Sequence, residues 1–433
     1  MDVDKLYIGL LKEEVKPALG CTEPVAIAYA TAKASELLGE IPENIHLLLS
    51  VNIIKNALGV GIPGTDTTGA AMASALGAVC RNSHLGLGLL SEITEEKYKE
   101  AKKILKENRI SLGINNGDEK LYIEVICSSE NKNTRVVIQG EHTNIILMER
   151  NGETIYSKER TNPELDNKYD EMGKNERREA FLSINAIYSF IKNIPLQEIS
   201  FLLEGINMNK RVSQEGLSNQ WGLMVGEKIY NSIEFNPLQN SLSNKIVAET
   251  AAASDARMAG CSLPIMTTAG SGNQGITCTL PPAVLARELD KSDEELIRAV
   301  ALSNLVTIYI KEFMGRLSPI CGAGIAASTG AAAGMTYLLK DELDSIKCAI
   351  NNMLADVAGI ICDGAKSSCA LKIATSVNAA IQCSMLAVKG IQPGSLEGII
   401  NDDVDKTIRN IGDLVQKGYE NTDRAILEIM LNK

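Results

Sequence analysis

Cysteine is the residue type whose placement in this chain could do chemistry. In "ICDGAKSSC" Cys362 and Cys369 flank an Asp363-Gly364 turn, and in "RLSPICGAG" Cys321 follows Pro319 and is itself followed by glycines. The pattern puts Cys362 at the end of one apolar helix and Cys369 in the first turn of the next, so both thiols can face one point. Thiolates are the ligands of iron-sulfur centres, and backbone N–H groups at helix ends and glycine turns stabilise charge on sulfur. The same residues would also serve as small buried hydrophobes in an alanine-rich bundle. Cys21, in "ALGCTEPVAIAYA", sits between two helical stretches at a helix start. A thiol there has a lowered pKa and can act as base or nucleophile, or it is simply structural.

Two glycine-rich stretches offer donors for a small carboxylate: "GVGIPGTDTTG" (59–69) and "TTAGSGNQGITCTLP" (267–281). Both combine flexible backbone N–H groups with neutral polar side chains. The candidate substrate contacts are Asn56 and Thr65 around the first, and Ser271, Asn273 and Gln274 in the second. Taken as loops alone they would be ordinary turns. "GSGNQG" resembles a dinucleotide fingerprint only superficially, because no strand precedes it with a distal acidic partner. Histidine is confined to His46, His84 and His142, so imidazole chemistry and a Cys/His zinc site are poorly supported.

These groups must be positioned by a chain of 433 residues, 45% of them hydrophobic, which predicts two or three domains. A net charge of −11 leaves no broad basic surface, and nucleic acid is not an expected partner. Apolar runs such as "AVALSNLVTIYI" (299–310) are too short to cross a bilayer, and the N-terminus lacks the features of a signal peptide. A cytoplasmic protein with no membrane contact is expected, in which the ten cysteines stay reduced. Aromatics make up 4%, whereas Ala and Gly are abundant, which fits helices packed closely through small residues.

Periodicity predicts an α+β chain: a mostly α-helical catalytic bundle with a smaller α+β domain inserted near the N-terminus. Residues 1–45 read as N-terminal helices packing with the bundle. Residues 46–157 read as the α+β domain, with strand runs "IHLLLSVNII", "KLYIEVIC", "TRVVIQG" and "TNIILMER", a hairpin at Asn151-Gly152, and a helix opened by Thr94. The charged stretch 158–178 reads as a linker, and 179–433 as the helical catalytic domain, including a capping box at Ser292 and Glu295.

Taken together, "GCTEP", "GSGNQG", "SPICGAG" and "CDGAKSSC" resemble, over essentially the full length, the L-cysteine desulfidases, relatives of the iron-sulfur L-serine dehydratases. The resemblance implies a [4Fe-4S] cluster held by Cys321, Cys362 and Cys369, with one iron left for substrate, and Cys21 as the base. Cys278, also near a family motif, could compete as a ligand. The implied reaction converts L-cysteine to pyruvate, ammonia and hydrogen sulfide. Lys366 could help hold the substrate carboxylate or be an ion-paired surface lysine. The remaining cysteines pack as small apolar groups. An L-serine dehydratase and a non-catalytic metal-binding sensor are the alternatives, and a homodimer is compatible with the sequence.

Overall fold

The computed structural model describes residues 3–158, 181–232 and 241–432, so most of the expected linker lies outside the described residues. A six-stranded mixed sheet organises the smaller part, in the order β3 (Ile110–Asn115), β2 (Asn44–Ser50), β4 (Tyr122–Ser129), β5 (Lys132–Gln139), β6 (Ile145–Arg150), β7 (Glu153–Ser157). Only β2 and β3 run parallel. That pairing is possible because the chain between them carries helices, including Glu95–Lys106 with Thr94 accepting from the Lys97 N–H. Asn151 and Gly152 both take positive φ, as a tight hairpin between β6 and β7 demands.

"IHLLLSVNII" does not remain a strand to its end. β2 stops at Ser50, and Val51–Ala57 forms a helix whose Asn52 and Lys55 share one face and reach the same carboxylate, Asp423. Tertiary partners for these two polar side chains outweigh the β preference of the isoleucines.

The rest is a helical bundle around Asp293–Met314, a 22-residue helix started by the Ser292/Glu295 capping box. Ser328–Leu339 lies so close to it that a Cβ on Gly330 would come within 2.3 Å of the Ser303 carbonyl. Gly272–Glu288, Leu343–Asp356 and Cys369–Ala387 pack on this pair, and Leu242–Met258 packs outside them against Gly272–Glu288 and Cys369–Ala387. Among the described residues only Cys369–Ala387 is both long and apolar enough to cross a membrane, and half of it is buried within the protein.

The N-terminal helices divide between the two parts, which corrects their joint assignment to the bundle. Val3–Glu14 places Tyr7, Leu10 and Leu11 in the bundle core. Thr22–Leu38 instead buries Val25, Ile27 and Leu38 in a second core with the sheet residues Ile45, Leu47 and Ile123. Apolar residues surround Thr22–Leu38, so its sequence does not mark one partner surface. The segment between the helices is tied to the bundle by β1 (Pro17–Ala18), which pairs with β8 (Ile265–Met266). Cys21 thus sits where the chain crosses from one core to the other.

The close packing at Gly330 makes a measurable difference. Gly330→Val should destabilise the fold by about 1–3 kcal/mol through overpacking. Gly9→Ala, where nothing lies within 4 Å of the added carbon, should be neutral or stabilising by up to about 1 kcal/mol. Urea unfolding midpoints of the two variants check this.

Candidate active site

One cavity of about 120 Å³ opens between the two cores. Cys21, Cys321, Cys362 and Cys369 all line it. Cys321 and Cys362 are brought together by a short antiparallel bridge, Ile320 opposite Ile361, in which the Cys321 N–H donates to Ile360 O and the Cys362 N–H to Pro319 O, both at 2.8 Å. The two cysteines are therefore diagonal neighbours on one face of the bridge, a relation in which side chains are within reach of one another. Helix Leu343–Asp356 ends before this bridge, so Cys362 lies in an extended segment and not at a helix end as its sequence suggests. Cys369 is the first residue of Cys369–Ala387, and its thiol donates to Gly364 O at 3.6 Å. Gly364 is required where it stands: its φ is +92°, and a Cβ there would lie 2.2 Å from the Lys55 carbonyl.

These donors fit an iron-sulfur group. The Gly324 N–H already points at Cys321 Sγ (3.3 Å), the kind of contact that stabilises a sulfur ligand. Among the described residues no three Cys, His, Asp or Glu side chains are grouped as a site for a metal ion. Burial raises the pKa of Cys321 and of Cys369, so both need positive charge nearby to become thiolates. Cys278, by contrast, is fully buried outside the cavity, beside Thr268 and Asn304.

Cys21 occupies the N-cap position of Thr22–Leu38 but makes no capping bond. Its pKa moves opposite to the direction expected of a helix start. Burial pushes it up to about 12, and the Arg257 guanidinium offsets only part of that. The helix terminus is sealed among Val60 and Met258, with Ala365 and Cys369 packed against them, and desolvation of the thiolate outweighs the dipole.

Of the expected polar contacts, Asn56, Ser271, Asn273 and Gln274 line the cavity. Thr65 and Lys366 do not. Thr65 closes its own turn by donating to Ile62 O at 2.9 Å, and Lys366 pairs with Asp363 at 2.6 Å and donates to Asp363 O and Gly364 O. Both side chains are occupied in stabilising loops, which removes them from the cavity wall.

Sequence inspection missed the charged lining: Glu23, Lys55, Arg257, Lys311 and Arg316. Lys55 is 1% exposed and donates to Asp423 Oδ1 at 2.5 Å and to Cys362 O at 2.9 Å. Arg257 donates to Asn273 Oδ1 at 3.1 Å and to Gly20 O at 3.2 Å. Lys311, buried near the end of the central helix, has its pKa lowered to about 8 by desolvation. For Glu23, Lys55, Arg257 and Lys311 the signal that could have found them was a charge inside an otherwise apolar helical run; Arg316, in the bend after the central helix, carried no such signal.

Thiols on glycine turns and helix starts, set in a helical bundle and faced by a polar wall from an α+β domain, define a lyase-type site. The chain belongs to the serine dehydratase alpha chain family, which matches residues 84–428 and so takes in Cys321, Cys362 and Cys369. It is also 51% identical over 430 residues to a UPF0597 protein of Clostridium perfringens, covering 99% of this chain and 98% of that one. A UPF0597 protein of Bacteroides fragilis is 42% identical over 431 residues, with 99% and 98% covered, and one of Clostridium tetani is 41% identical over 434, with both chains fully covered.

The Lys55–Asp423 pair makes a further prediction. Lys55→Met leaves Asp423 with only the Asn52 amide as donor and takes the donor from the Cys362 carbonyl, and should cost up to about 3–5 kcal/mol, the range for breaking a buried pair. Adding Asp423→Leu should recover part of that loss, measured as a double-mutant cycle by urea unfolding.

Proposed function

We propose that this protein is an iron-sulfur-dependent L-cysteine desulfidase that converts L-cysteine to pyruvate, ammonia and hydrogen sulfide. The observation that carries the reading is the convergence of Cys21, Cys321, Cys362 and Cys369 on one cavity, although they are distributed over nearly the whole chain. Cys321, Cys362 and Cys369 would hold a [4Fe-4S] cluster, which, with one iron left open, supplies Lewis acidity to the departing sulfur.

The protein's own groups supply the rest. Asn56, Ser271, Asn273 and Gln274 face the cavity and hold the substrate. Cys21 accepts the α-proton. It must first be ionised, which burial opposes and Arg257 favours, so the base works only in the closed cationic setting of this cavity. Loss of the α-proton and departure of sulfide leave aminoacrylate, whose hydrolysis after release gives pyruvate and ammonia. A cytoplasmic setting keeps the thiols reduced.

L-serine dehydration is the second reading, favoured by the description of the family that matches the chain. Kinetics on both amino acids under anaerobic conditions separate the two. A higher kcat/KM for L-serine would replace desulfidation with dehydration.

Replacing Cys321, Cys362 or Cys369 with Ala should abolish or convert the cluster, read as iron and acid-labile sulfide content after anaerobic reconstitution. Cys348→Ala and Cys383→Ala should retain it. Full cluster content and normal activity in any of the first three variants would overturn the ligand assignment. Cys21→Ser should keep both the cluster and the spectral shift on adding L-cysteine, while sulfide release falls ~100- to 10,000-fold. Near-normal release would exclude Cys21 as the base.

A further inference from the structure

The cavity wall is divided by charge in a way the proposed chemistry does not itself require. On the bundle side, helix Gly272–Glu288 begins without a cap: Ser271 makes no side-chain bond to it, and Gly275 is the first residue to donate back, to Ser271 O. The N–H groups of Gly272, Asn273 and Gln274 are those a helix leaves without an internal partner. Against this positive end lies a second positive group. A Cβ on Gly272 would come within 2.2 Å of Arg257 Nε, so the guanidinium is packed onto the backbone of the first turn. Arg257 is 5% exposed, and its Nε has no hydrogen-bond partner among the described residues. A buried cation beside a helix N-terminus is unfavourable unless an anion joins them.

The opposite wall, from the α+β side, carries Lys55, already paired with Asp423 and the Cys362 carbonyl, and beside it the acceptors of Asn56 and Glu23. Asn56 is 9% exposed and donates through Nδ2 to Glu23 Oε1 at 2.9 Å. That bond fixes the amide, because a carboxylate accepts and does not donate. The other end, Oδ1, is left buried and without a partner among the described residues. Glu23 is itself 9% exposed, and its second oxygen accepts from Thr22 Oγ1 at 3.1 Å. On the bundle side, Gln274 Oε1 is likewise a buried acceptor without a partner among the described residues, packed beside Gly322 next to Cys321. The two walls are close together, because Arg257 donates to Gly20 O, three residues before Glu23.

We propose that this cavity recognises an α-amino acid by its two charged ends: the carboxylate between Arg257 and the N-terminus of Gly272–Glu288, and the ammonium on Asn56 Oδ1 beside Glu23. The assignment rests on the amino-acid reading above and adds Arg257 and Glu23 to it. The ligand satisfies each orphaned group with a charge-assisted hydrogen bond and joins the two cores. Molecules that lack either end leave one wall unpaired, which a polar site rejects strongly.

The test uses the anaerobic, cluster-loaded protein and three ligands that have no leaving group: L-alanine, propionate and ethylamine. By calorimetry L-alanine should bind at least about tenfold more tightly than either analogue. In Arg257→Met its advantage over ethylamine should disappear, and in Asn56→Leu its advantage over propionate, with iron content unchanged in both. Asn56→Leu should also raise KM for L-cysteine more than it lowers kcat. L-alanine binding no better than the analogues to the wild-type protein would overturn the proposal, and this arm stands even if a variant fails to fold. Equal weakening of all three ligands by both variants would also overturn it. The expected binding pattern without sulfide release from L-cysteine would refute the desulfidase reading and leave the two-ended recognition intact.

Discussion

The structure depends on one buried cation. Lys55 has almost no solvent exposure, and its ammonium is shared between Asp423 and the carbonyl of Cys362. An unpaired ammonium in that position would be prohibitively costly, so its partners must be present together. Lys55 comes from the α+β part, Cys362 from the thiol-bearing loop and Asp423 from Thr422–Leu431. Helix Val51–Ala57, which carries Lys55, presses its backbone on Gly364, where a side chain would not fit. One charge and one glycine therefore set the distance between the polar wall and the thiols.

Burying sulfur ligands creates the opposite problem. Cys21, Cys321 and Cys369 are all held in surroundings that favour the neutral thiol. Nearby cations offset part of this: Lys372 favours ionised Cys321 and Cys369, Lys366 ionised Cys369 and Arg257 ionised Cys21. Lys55, Lys311 and Arg316 also line the cavity, and these three and Arg257 are each tied to a carbonyl, an amide or a carboxylate. Because these ties are to fixed partners, the charges are already oriented before any ligand enters, which is what electrostatic preorganisation requires. Lys311 shows the cost, since its own desolvation lowers its pKa toward the neutral range.

The cavity lies at a seam. Val3–Glu14 belongs to one core and Thr22–Leu38 to the other, and Cys21 stands at the crossing. A site built between two separately packed cores can draw polar and charged groups from both, with Glu23, Lys55 and Asn56 on one side and Arg257, Asn273 and Gln274 on the other. The two-residue pairing of β1 with β8 is what holds the crossing segment against the bundle.

Much of this was legible in the residues themselves. The α+β class, the turn at Asn151-Gly152, the caps at Thr94 and Ser292 and the distinct standing of four cysteines follow from local rules, because caps, turns and periodicity are decided within a few residues of chain. The order of the sheet, the helix that interrupts "SVNII", the partner of Thr22–Leu38 and the direction of the Cys21 pKa could not be read there. Each depends on what lies across the fold: on Asp423 for Asn52 and Lys55, on the sheet for a helix apolar on most sides, and on Val60 and Met258 for a thiol that local sequence alone would make acidic. Glu23, Arg257 and Lys55 were invisible as site residues for the same reason, since a charged residue in sequence reads as surface until tertiary packing removes the water around it.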